Sequence, residues 1–431
     1  MLRIPPQIQV PEQTEDEFLC LNLDVTTPEA ANQLPLETLL PVLIWIHGGS
    51  QAVSFGNGAS GLCDPTNLVG RSIDMGRPII AVTINYRVNM FAFGDLKSER
   101  NLALRDQQRA FEYVRSHISG FGGDPDNITI AGESAGAVFC HAHLIMGTSP
   151  RQCILQSGTL HLSPPQPRAV AENLIRRVDD TVKELSGLDL RSAPVSTLLE
   201  AQFKLGLQSF FLQDEECLDG WQNKVGDVGR LLIGDTEYES VLWRNGIESC
   251  TPEFITEAFD AAGLAASSLK EMYGITPERS VSCKLGALDF LNDVRFGAPI
   301  NKLLLQCQKT NTPVFRFLVD QPNPWQSSSR AHHGVDLIFL FGGYDLSHSR
   351  AAEAVSHTMQ EKWIDFIAGG TPWQAGEAYA FGPVGICQPI DDDGLAARRR
   401  QRHMASMVGI SESGVNAVVA RLAAGRSSLL N

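Results

Sequence analysis

The chain has 431 residues, and its hydrophobic fraction of 43% is enough to bury a large core. Its formal net charge of −14 argues against nucleic acid and against an anionic membrane surface as partners. The longest apolar runs are only as long as a β-strand, so the sequence offers no candidate for a membrane-spanning helix.

Short apolar runs alternate with helical stretches along the chain. This alternation predicts an α/β fold, a largely parallel sheet with helices on both faces, formed by residues 1–431 as one domain. Residues 168–310 follow a proline cluster at 164–167 and have a mainly helical pattern, so we expect an insertion that covers the functional site. The predicted strands are 42–46, 79–84, 128–131, 153–156, 230–233 and 313–319.

The first of these strands, residues 42–46, ends in His47-Gly48-Gly49. Two successive glycines leave their backbone N–H groups uncovered, so these groups can point at a developing negative charge. We predict that Gly48 and Gly49, together with Ala135 further along, donate the N–H groups of an oxyanion hole. The alternative is a plain glycine turn, and His47 is expected to support the loop rather than to titrate.

The strand at 128–131 runs into Gly132-Glu-Ser-Ala-Gly136, a G-x-S-x-G turn, and residues 135–144 then have a helical pattern. A serine at the apex of a tight strand-to-helix turn has a strained backbone, and small residues two positions to either side let strand and helix pass closely. The motif alone is weak, since an ordinary turn can have the same residues. The strand before it and the helix after it favour Ser134 as a nucleophile.

A nucleophilic serine needs a base and an acid later in the chain. His332 and His333 precede a long apolar run, and a neutral imidazole there can take the serine proton. In proteins with this type of turn, the acid lies between the serine and the histidine. A loop after the predicted strand at 230–233 carries Asp235, Glu237 and Glu239, and spacing alone does not choose among them.

Further motifs are Cys20-Leu-Asn-Leu-Asp-Val25, Asn85-Tyr86-Arg87 and Gln156-Ser157-Gly158, with longer matches at 101–107, 121–127, 363, 372–373 and 381–383. In this order they resemble the type-B carboxylesterases, the carboxylesterase and cholinesterase branch of the α/β-hydrolases. The resemblance covers most of the chain and implies an α/β-hydrolase fold and a serine esterase. Glu17-Phe18 and Cys140-His-Ala-His143 are most similar to fungal members.

Carried over from this resemblance, Glu239 is the acid and His333 the base, with His332 as its neighbour. Glu239 matches the acid of the family's G-x-x-x-D-E-G loop, and His333 begins a match to its H-G-x-D/E-L motif. Tyr238 and Ser240 depart from that loop, which usually has aspartate and glycine at these positions.

The resemblance also suggests candidates for the substrate pocket. Ser50 replaces the third glycine of the family's H-G-G-G loop, so its side chain is expected to narrow the acyl pocket. Glu133 matches the glutamate that the family keeps beside its serine, and we expect a structural, hydrogen-bonded role for it. Phe210, Phe211 and Trp325 are candidate walls, with ordinary core packing as the alternative. An aromatic content of 7% disfavours a cholinesterase gorge. From the resemblance, we expect small to medium apolar esters as substrates.

These residues predict a serine hydrolase that cleaves small-molecule carboxylic esters through an acyl-enzyme intermediate. Acyl transfer to an alcohol and lactone opening would use the same residues and are the nearest alternatives. A non-catalytic binding protein and a truncated, inactive product are alternatives of a different kind. No cofactor and no metal are expected, since the nine cysteines show no C-x-x-C pair and no zinc spacing.

Residues 1–6 are followed at once by polar sequence, so no signal peptide is visible. This pattern predicts a cytoplasmic protein, or a secreted one if the true N-terminus is missing, and most cysteines are expected to be buried thiols. In secreted relatives the cysteine that matches Cys20 pairs with an upstream partner, and little chain precedes it here. The run from Arg398 to Arg400, with Arg402, predicts a solvated late helix. The sequence gives no prediction of the oligomeric state.

Overall fold

Nine β-strands form one sheet in the part of the chain that the computed structural model describes, residues 16, 19–29, 38–54, 61–94 and 99–428. All six predicted strands are present, as β2 to β7. Residues 1–6 and Glu17-Phe18, which carried the predictions on targeting and on fungal similarity, lie outside the described residues. The strands are β1 (Leu23–Thr26), β2 (Leu40–Ile46), β3 (Ile80–Ile84), β4 (Gly123–Glu133), β5 (Gln152–Gln156), β6 (Leu231–Thr236), β7 (Val314–Val319), β8 (Ala378–Phe381) and β9 (Cys387–Ile390).

The strand order across the sheet is β1-β3-β2-β4-β5-β6-β7-β8-β9. Strands β2 to β8 are parallel, and the two edge strands, β1 and β9, are antiparallel to their neighbours. The chain order reverses at β2, and parallel sheets have a crevice outside the carboxyl ends of their strands at such a point. The predicted α/β architecture is confirmed.

Strand β2 shows why the core has two layers. Val42, Ile44 and Ile46 belong to one buried cluster, whereas Leu43 and Trp45 belong to a second. Successive side chains of a strand point to opposite faces of the sheet, so the two clusters cover the two faces. A parallel strand that is buried on both faces has to be continuously apolar, as this one is.

Helices cover the sheet and extend beyond it. Thr251 caps one of them by accepting a hydrogen bond from Phe254 N at 3.2 Å. The α-helices of the described residues are α1 (Thr66–Asp74), α2 (Leu102–His117), α3 (Ala135–Ile145), α4 (Arg168–Ser186), α5 (Val195–Lys204), α6 (Arg244–Glu248), α7 (Pro252–Phe259), α8 (Ala266–Tyr273), α9 (Ser280–Asn292), α10 (Ala298–Thr310), α11 (Val335–Phe341), α12 (Arg350–Ile367), α13 (Asp392–Arg398), α14 (Gln401–Met407) and α15 (Glu412–Ala423).

Residues 168–310 are mainly helical, but they do not form one continuous insertion. Strand β6 lies within this segment and pairs with β5 and β7 in the sheet. All of its residues are buried. The later helices of the segment pack with α14 and α15 around a third cluster that includes Trp243, Phe290 and Leu422. Helices α14 and α15 therefore also belong to this helical layer, whereas the sequence pattern predicts a layer formed by residues 168–310 alone.

The prediction that the arginine run forms a solvated helix is wrong. Helix α13 ends at Arg398, and the next residue, Arg399, is buried. Its Nε lies 3.0 Å from Asp235 Oδ1 and its Nη1 lies 2.8 Å from Asp320 Oδ1. Carboxylates from the ends of β6 and β7 neutralise the buried charge, and these partners are too distant in sequence for a local charge pattern to reveal.

No helix of the described residues is both long and apolar enough to span a membrane. Five of the nine cysteines are buried, in agreement with the expectation that most of them are. The buried cysteines are Cys63, Cys140, Cys153, Cys283 and Cys307.

Candidate active site

Ser134 lies at the turn between β4 and α3. Its backbone has φ 57° and ψ −122°, a strained conformation for a residue with a side chain, and its N–H donates to Gln156 O at 2.9 Å. A Cβ on Gly132 would lie 2.5 Å from the carbonyl carbon of Gly136, and one on Gly136 would lie 2.0 Å from Ile46 O. Only glycine fits at both positions, so the turn holds Ser134 at the carboxyl end of β4.

His333 and Glu239 form a buried hydrogen-bonded pair. Nδ1 of His333 donates to Oε2 of Glu239, and neither residue is accessible to solvent. Oε1 of Glu239 accepts a hydrogen bond from Thr236 N at 2.6 Å, so both carboxylate oxygens have a partner. Because Nδ1 is engaged, Nε2 is the ring nitrogen left to accept a proton.

Backbone hydrogen bonds join the two loops that carry this pair. His333 N donates to Tyr238 O at 3.2 Å. The N–H groups of Glu239 and Ser240 both donate to Asn292 Oδ1, at 2.8 and 3.1 Å. The loop thus has a defined conformation with tyrosine and serine at the two positions where the sequence departs from its relatives.

The three carboxylates at the end of β6 and just after it have different partners. Asp235 is paired with a buried arginine, and Glu237 forms a surface ion pair with Arg330 at 2.6 Å. Of the three, Glu239 is the one that is hydrogen-bonded to His333. The structure therefore distinguishes Glu239 from Asp235 and Glu237, which spacing in the sequence alone does not.

Glu133 faces the other nitrogen of the imidazole. Its Oε1 lies 3.2 Å from His333 Nε2, and neither atom has a hydrogen-bond partner among the described residues. Burial raises the pKa of Glu133 to about 8. Burial also disfavours a charged imidazole, but the negative charges of Glu133 and Glu239 outweigh it and raise the pKa of His333 to about 9. The imidazole is therefore a stronger base than that of an exposed histidine.

The His-Gly-Gly loop packs directly on the serine turn. A Cβ on Gly48 would lie 2.8 Å from Glu133 O and 3.2 Å from Ser134 Cβ, so a side chain there would push the loop away. Gly49 has a φ of 111°, which favours glycine. Ala135 is the first residue of α3, so no carbonyl of that helix accepts its N–H. The loop and the helix end meet at Ser134, where backbone N–H groups are suited to bind an anion.

Two other histidines near the site are neutral and structural. Nδ1 of His47 donates to Gly48 O at 2.8 Å, and its ring stacks on Tyr86 with 4.2 Å between centroids. Nδ1 of His332 donates to His333 O at 2.9 Å. Burial lowers the pKa of each ring to about 4, so neither is charged at neutral pH.

A cavity of about 360 Å³ opens at Ser134. Trp325 is not among the residues that line it; its ring packs against Tyr344 and His348 instead. Glu133 also lies outside the lining, on the side of His333. The candidate pocket and oxyanion residues that do line the cavity are Ser50, Ala135, Phe210 and Phe211.

The model of the Carboxylesterase family matches residues 4–227 and 234–402, most of the chain. The chain belongs to this family. Lipase 1 of Yarrowia lipolytica is 32% identical over 376 residues, which cover 84% of this chain and 74% of the lipase. Para-nitrobenzyl esterase of Bacillus subtilis is 30% identical over 399 residues, with 84% and 76% covered.

The fold is shared with solved members of this family. A carboxylesterase of Geobacillus stearothermophilus matches with a TM-score of 0.72 at 24% identity, covering 92% of this chain and 88% of that one. The predicted resemblance is confirmed, and the yeast relative agrees with the likeness to fungal members. The chain is a serine hydrolase of carboxylic esters, and its relatives do not favour acyl transfer, lactone opening or a binding role.

In this carboxylesterase, the sequence interpretation missed a buried polar network near His333. Gln156 Nε2 donates to Asp336 Oδ2 at 2.6 Å, and Trp363 Nε1 donates to Gln156 Oε1 at 3.0 Å. Burial raises the pKa of Asp336 to about 6. Each of these residues belongs to a recognised motif, but Gln156 and Trp363 are 207 positions apart, so their contact was not predictable from spacing.

It also missed part of the cavity wall. Helix α15 contributes Val419 and Ala423, and a π-helical turn, Asp293–Gly297, contributes Arg295. No motif marks these residues. Arg295 follows Asn292 and Asp293 in the sequence, so it looks like an ordinary surface residue of a helix.

Proposed function

We propose that Ser134 is the nucleophile, His333 the general base and Glu239 the acid that orients it, acting on small to medium apolar esters. Two observations carry this proposal: the strained Ser134 lies in the cavity wall, and His333 and Glu239 form a buried, hydrogen-bonded pair. His333 Nε2, which lies 3.2 Å from Glu133 Oε1, has no hydrogen-bond partner among the described residues, so the nitrogen that would take the serine proton is unoccupied.

In the first half of the reaction, Oγ of Ser134 attacks the ester carbonyl carbon while His333 Nε2 takes its proton. The carbonyl oxygen becomes an oxyanion, which accepts hydrogen bonds from the N–H groups of Gly48, Gly49 and Ala135. The intermediate then collapses, the ester C–O bond breaks, and the alcohol leaves with the proton from His333. Ser134 is left as an acyl ester.

In the second half, water takes the place of the alcohol. His333 Nε2 removes a proton from the water as it attacks the acyl carbon, and the same N–H groups bind the second oxyanion. Collapse of that intermediate returns the proton to Oγ of Ser134 and releases the carboxylic acid. Glu239 remains ionised throughout and stabilises the imidazolium through Nδ1.

The proposed size of the substrate follows from the cavity. Its volume of about 360 Å³ is near the lower end of the range for small-molecule sites. Val138, Leu162 and Trp243 line it with apolar surface, which favours an apolar acyl or alcohol group. A long fatty-acyl chain would exceed this space.

The test is a series of p-nitrophenyl esters with acyl chains of two to sixteen carbons. We expect kcat/KM to be highest for short to medium chains and to fall sharply for the longest, because the cavity is small. Ser134→Ala should lose essentially all turnover with every ester. A rate that keeps rising up to the sixteen-carbon ester, or substantial activity in the variant, would contradict the proposal.

A further inference from the structure

Among the described residues that line the cavity at Ser134, Arg295 is the single charged one. The other lining residues are apolar or carry neutral polar groups, such as Ser50 and Gln166. Arg295 is partly exposed, so its cation loses part of its contact with water, and this loss is unfavourable in a mainly apolar cavity. A charge at this position is therefore a candidate for a role in binding.

Arg295 also lacks an acidic partner among the described residues. Its Nη1 donates to the backbone oxygen of His161 at 2.8 Å, which uses one of its five N–H groups. Burial alone lowers its pKa to about 10, with no carboxylate opposing the shift, and the group is still fully protonated at neutral pH. Buried Arg399, in contrast, is bound by two carboxylates, those of Asp235 and Asp320.

The position of Arg295 is fixed relative to the proposed catalytic residues. It lies in the π-helical turn Asp293–Gly297, and such turns are frequent at functional sites. Asn292, just before this turn, accepts hydrogen bonds from the backbone of Glu239. Phe296, the next residue, packs its ring edge-on against His333, with 5.6 Å between ring centroids. The guanidinium and the acid–base pair are therefore held by one structural unit.

We propose that Arg295 binds a carboxylate of the substrate, so that the preferred esters carry a negative charge beside their apolar part. This inference rests on the proposed function of the site and modifies its substrate class: the ester keeps an apolar part and gains one carboxylate. A guanidinium binds a carboxylate through two parallel hydrogen bonds, and such charge-assisted pairs are the strong ones. The net charge of −14 gives the surface no general attraction for anions, so the preference comes from the cavity.

The carboxylate can belong to the acyl group or to the alcohol, and two pairs of esters distinguish these sources. The acyl pair is mono-p-nitrophenyl adipate against p-nitrophenyl hexanoate. The alcohol pair is 4-carboxyphenyl butyrate against 4-carbamoylphenyl butyrate. We expect the wild-type protein to favour the charged member of one pair in kcat/KM, by about ten- to a hundredfold.

Arg295→Gln should reduce this ratio to near one, and Arg295→Lys, which keeps the charge, should retain part of it. Lys302→Gln is the matched control. Lys302 is a cation on the adjoining helix α10, and it pairs with Glu412 at 2.6 Å. Its loss should leave the ratio unchanged. A wild-type ratio near one or below in both pairs, or an equal ratio in Arg295→Gln, would overturn the inference.

A binding measurement separates this inference from the proposed function. Calorimetry on Ser134→Ala protein measures the affinity for the same intact esters without any turnover. Tighter binding of one charged ester, lost in Ser134→Ala/Arg295→Gln, supports the role of Arg295 even if the wild-type protein hydrolyses none of the four. Equal binding of charged and neutral esters overturns that role even if Ser134-dependent hydrolysis is efficient.

Discussion

Glu239 differs from the two other acidic residues of its loop in what it touches. Its two oxygens bond to His333 and to Thr236 N, whereas Glu237 pairs with Arg330 at the surface. A buried carboxylate in this position orients the imidazole and stabilises its charged form during the reaction.

Glu239→Gln should lower kcat by about three to four orders of magnitude, because an amide can hold the wrong imidazole tautomer and cannot stabilise the charge. Steady-state hydrolysis of p-nitrophenyl butyrate measures this. Asp235→Asn removes a carboxylate from the same loop and should change kcat by less than about tenfold in the folded protein, since Asp235 contacts Arg399 rather than His333. The opposite ranking of the two variants would assign the acid to Asp235.

Glu133 is predicted to set the pH at which His333 becomes active. The reaction needs a neutral imidazole, so kcat/KM rises as the pH passes upward through the pKa of His333. The negative charge of Glu133 contributes to the raised pKa of His333, about 9. Glu133→Gln removes that charge and should move the acidic limb of the pH–kcat/KM profile to lower pH.

Glu237→Gln is the control for this measurement, because it removes a charge from a partly exposed ion pair and should leave the profile in place. An acidic limb of Glu133→Gln that stays where it is, or moves to higher pH, would show that Glu133 does not act on His333 through its charge.

At the scale of single residues, the position of Ser134 at a strand-to-helix turn was predictable from the sequence, because the turn has a local motif. The spacing alone does not decide which of Asp235, Glu237 and Glu239 is the acid, since the partner of each one lies far away in the chain. The resemblance to the family indicates Glu239. Trp325 shows the same limit. Its large aromatic ring made it a candidate pocket wall, but the ring packs against Tyr344 and His348 instead.

At the scale of elements, the serine turn depends on close contact between β2, β4 and α3. Gly136 lies where a Cβ would come within 2.0 Å of Ile46 O. Backbone atoms of a central strand cannot move aside without disturbing the sheet, so glycine is required for packing as well as for the turn.

Gly136→Ala should destabilise the protein by about 3 kcal/mol or more and lower the amount of soluble protein. Thermal unfolding followed by circular dichroism measures the change. Gly70→Ala is the matched control, because Gly70 lies in α1 with no atom within 4 Å of an added Cβ. It should leave the stability unchanged or raise it by about 0.5–1 kcal/mol. Equal melting temperatures for the two variants would contradict the packing argument.

Element positions were predictable where one strand or helix has a pattern of its own. Continuous apolar runs identified β2 to β7. The helical layer was less predictable, because several of its helices are buried against one another rather than against the sheet. The contribution of α15 to the cavity depends on tertiary packing with α9, which no local pattern indicates.

At the scale of the whole molecule, the α/β architecture followed from the alternation of strands and helices, and the family followed from motifs in a fixed order. Ion pairs between residues that are distant in the chain could not be predicted from the sequence. The run from Arg398 to Arg400 looked like a solvated helix, but the charge of Arg399 is matched by Asp235 and Asp320 at the ends of β6 and β7. The position of Arg295 in the cavity wall also depends on tertiary packing, so no local pattern indicated it.

The central claim is that Ser134 is an activated nucleophile in a preformed site. The most direct measurement is the reaction of the purified protein with a fluorophosphonate probe, followed by mass spectrometry of the labelled peptide. We predict one label per chain, on Ser134, formed with wild-type protein and absent from Ser134→Ala. A folded protein that is not labelled, or a label on another residue that persists in the variant, would contradict the account.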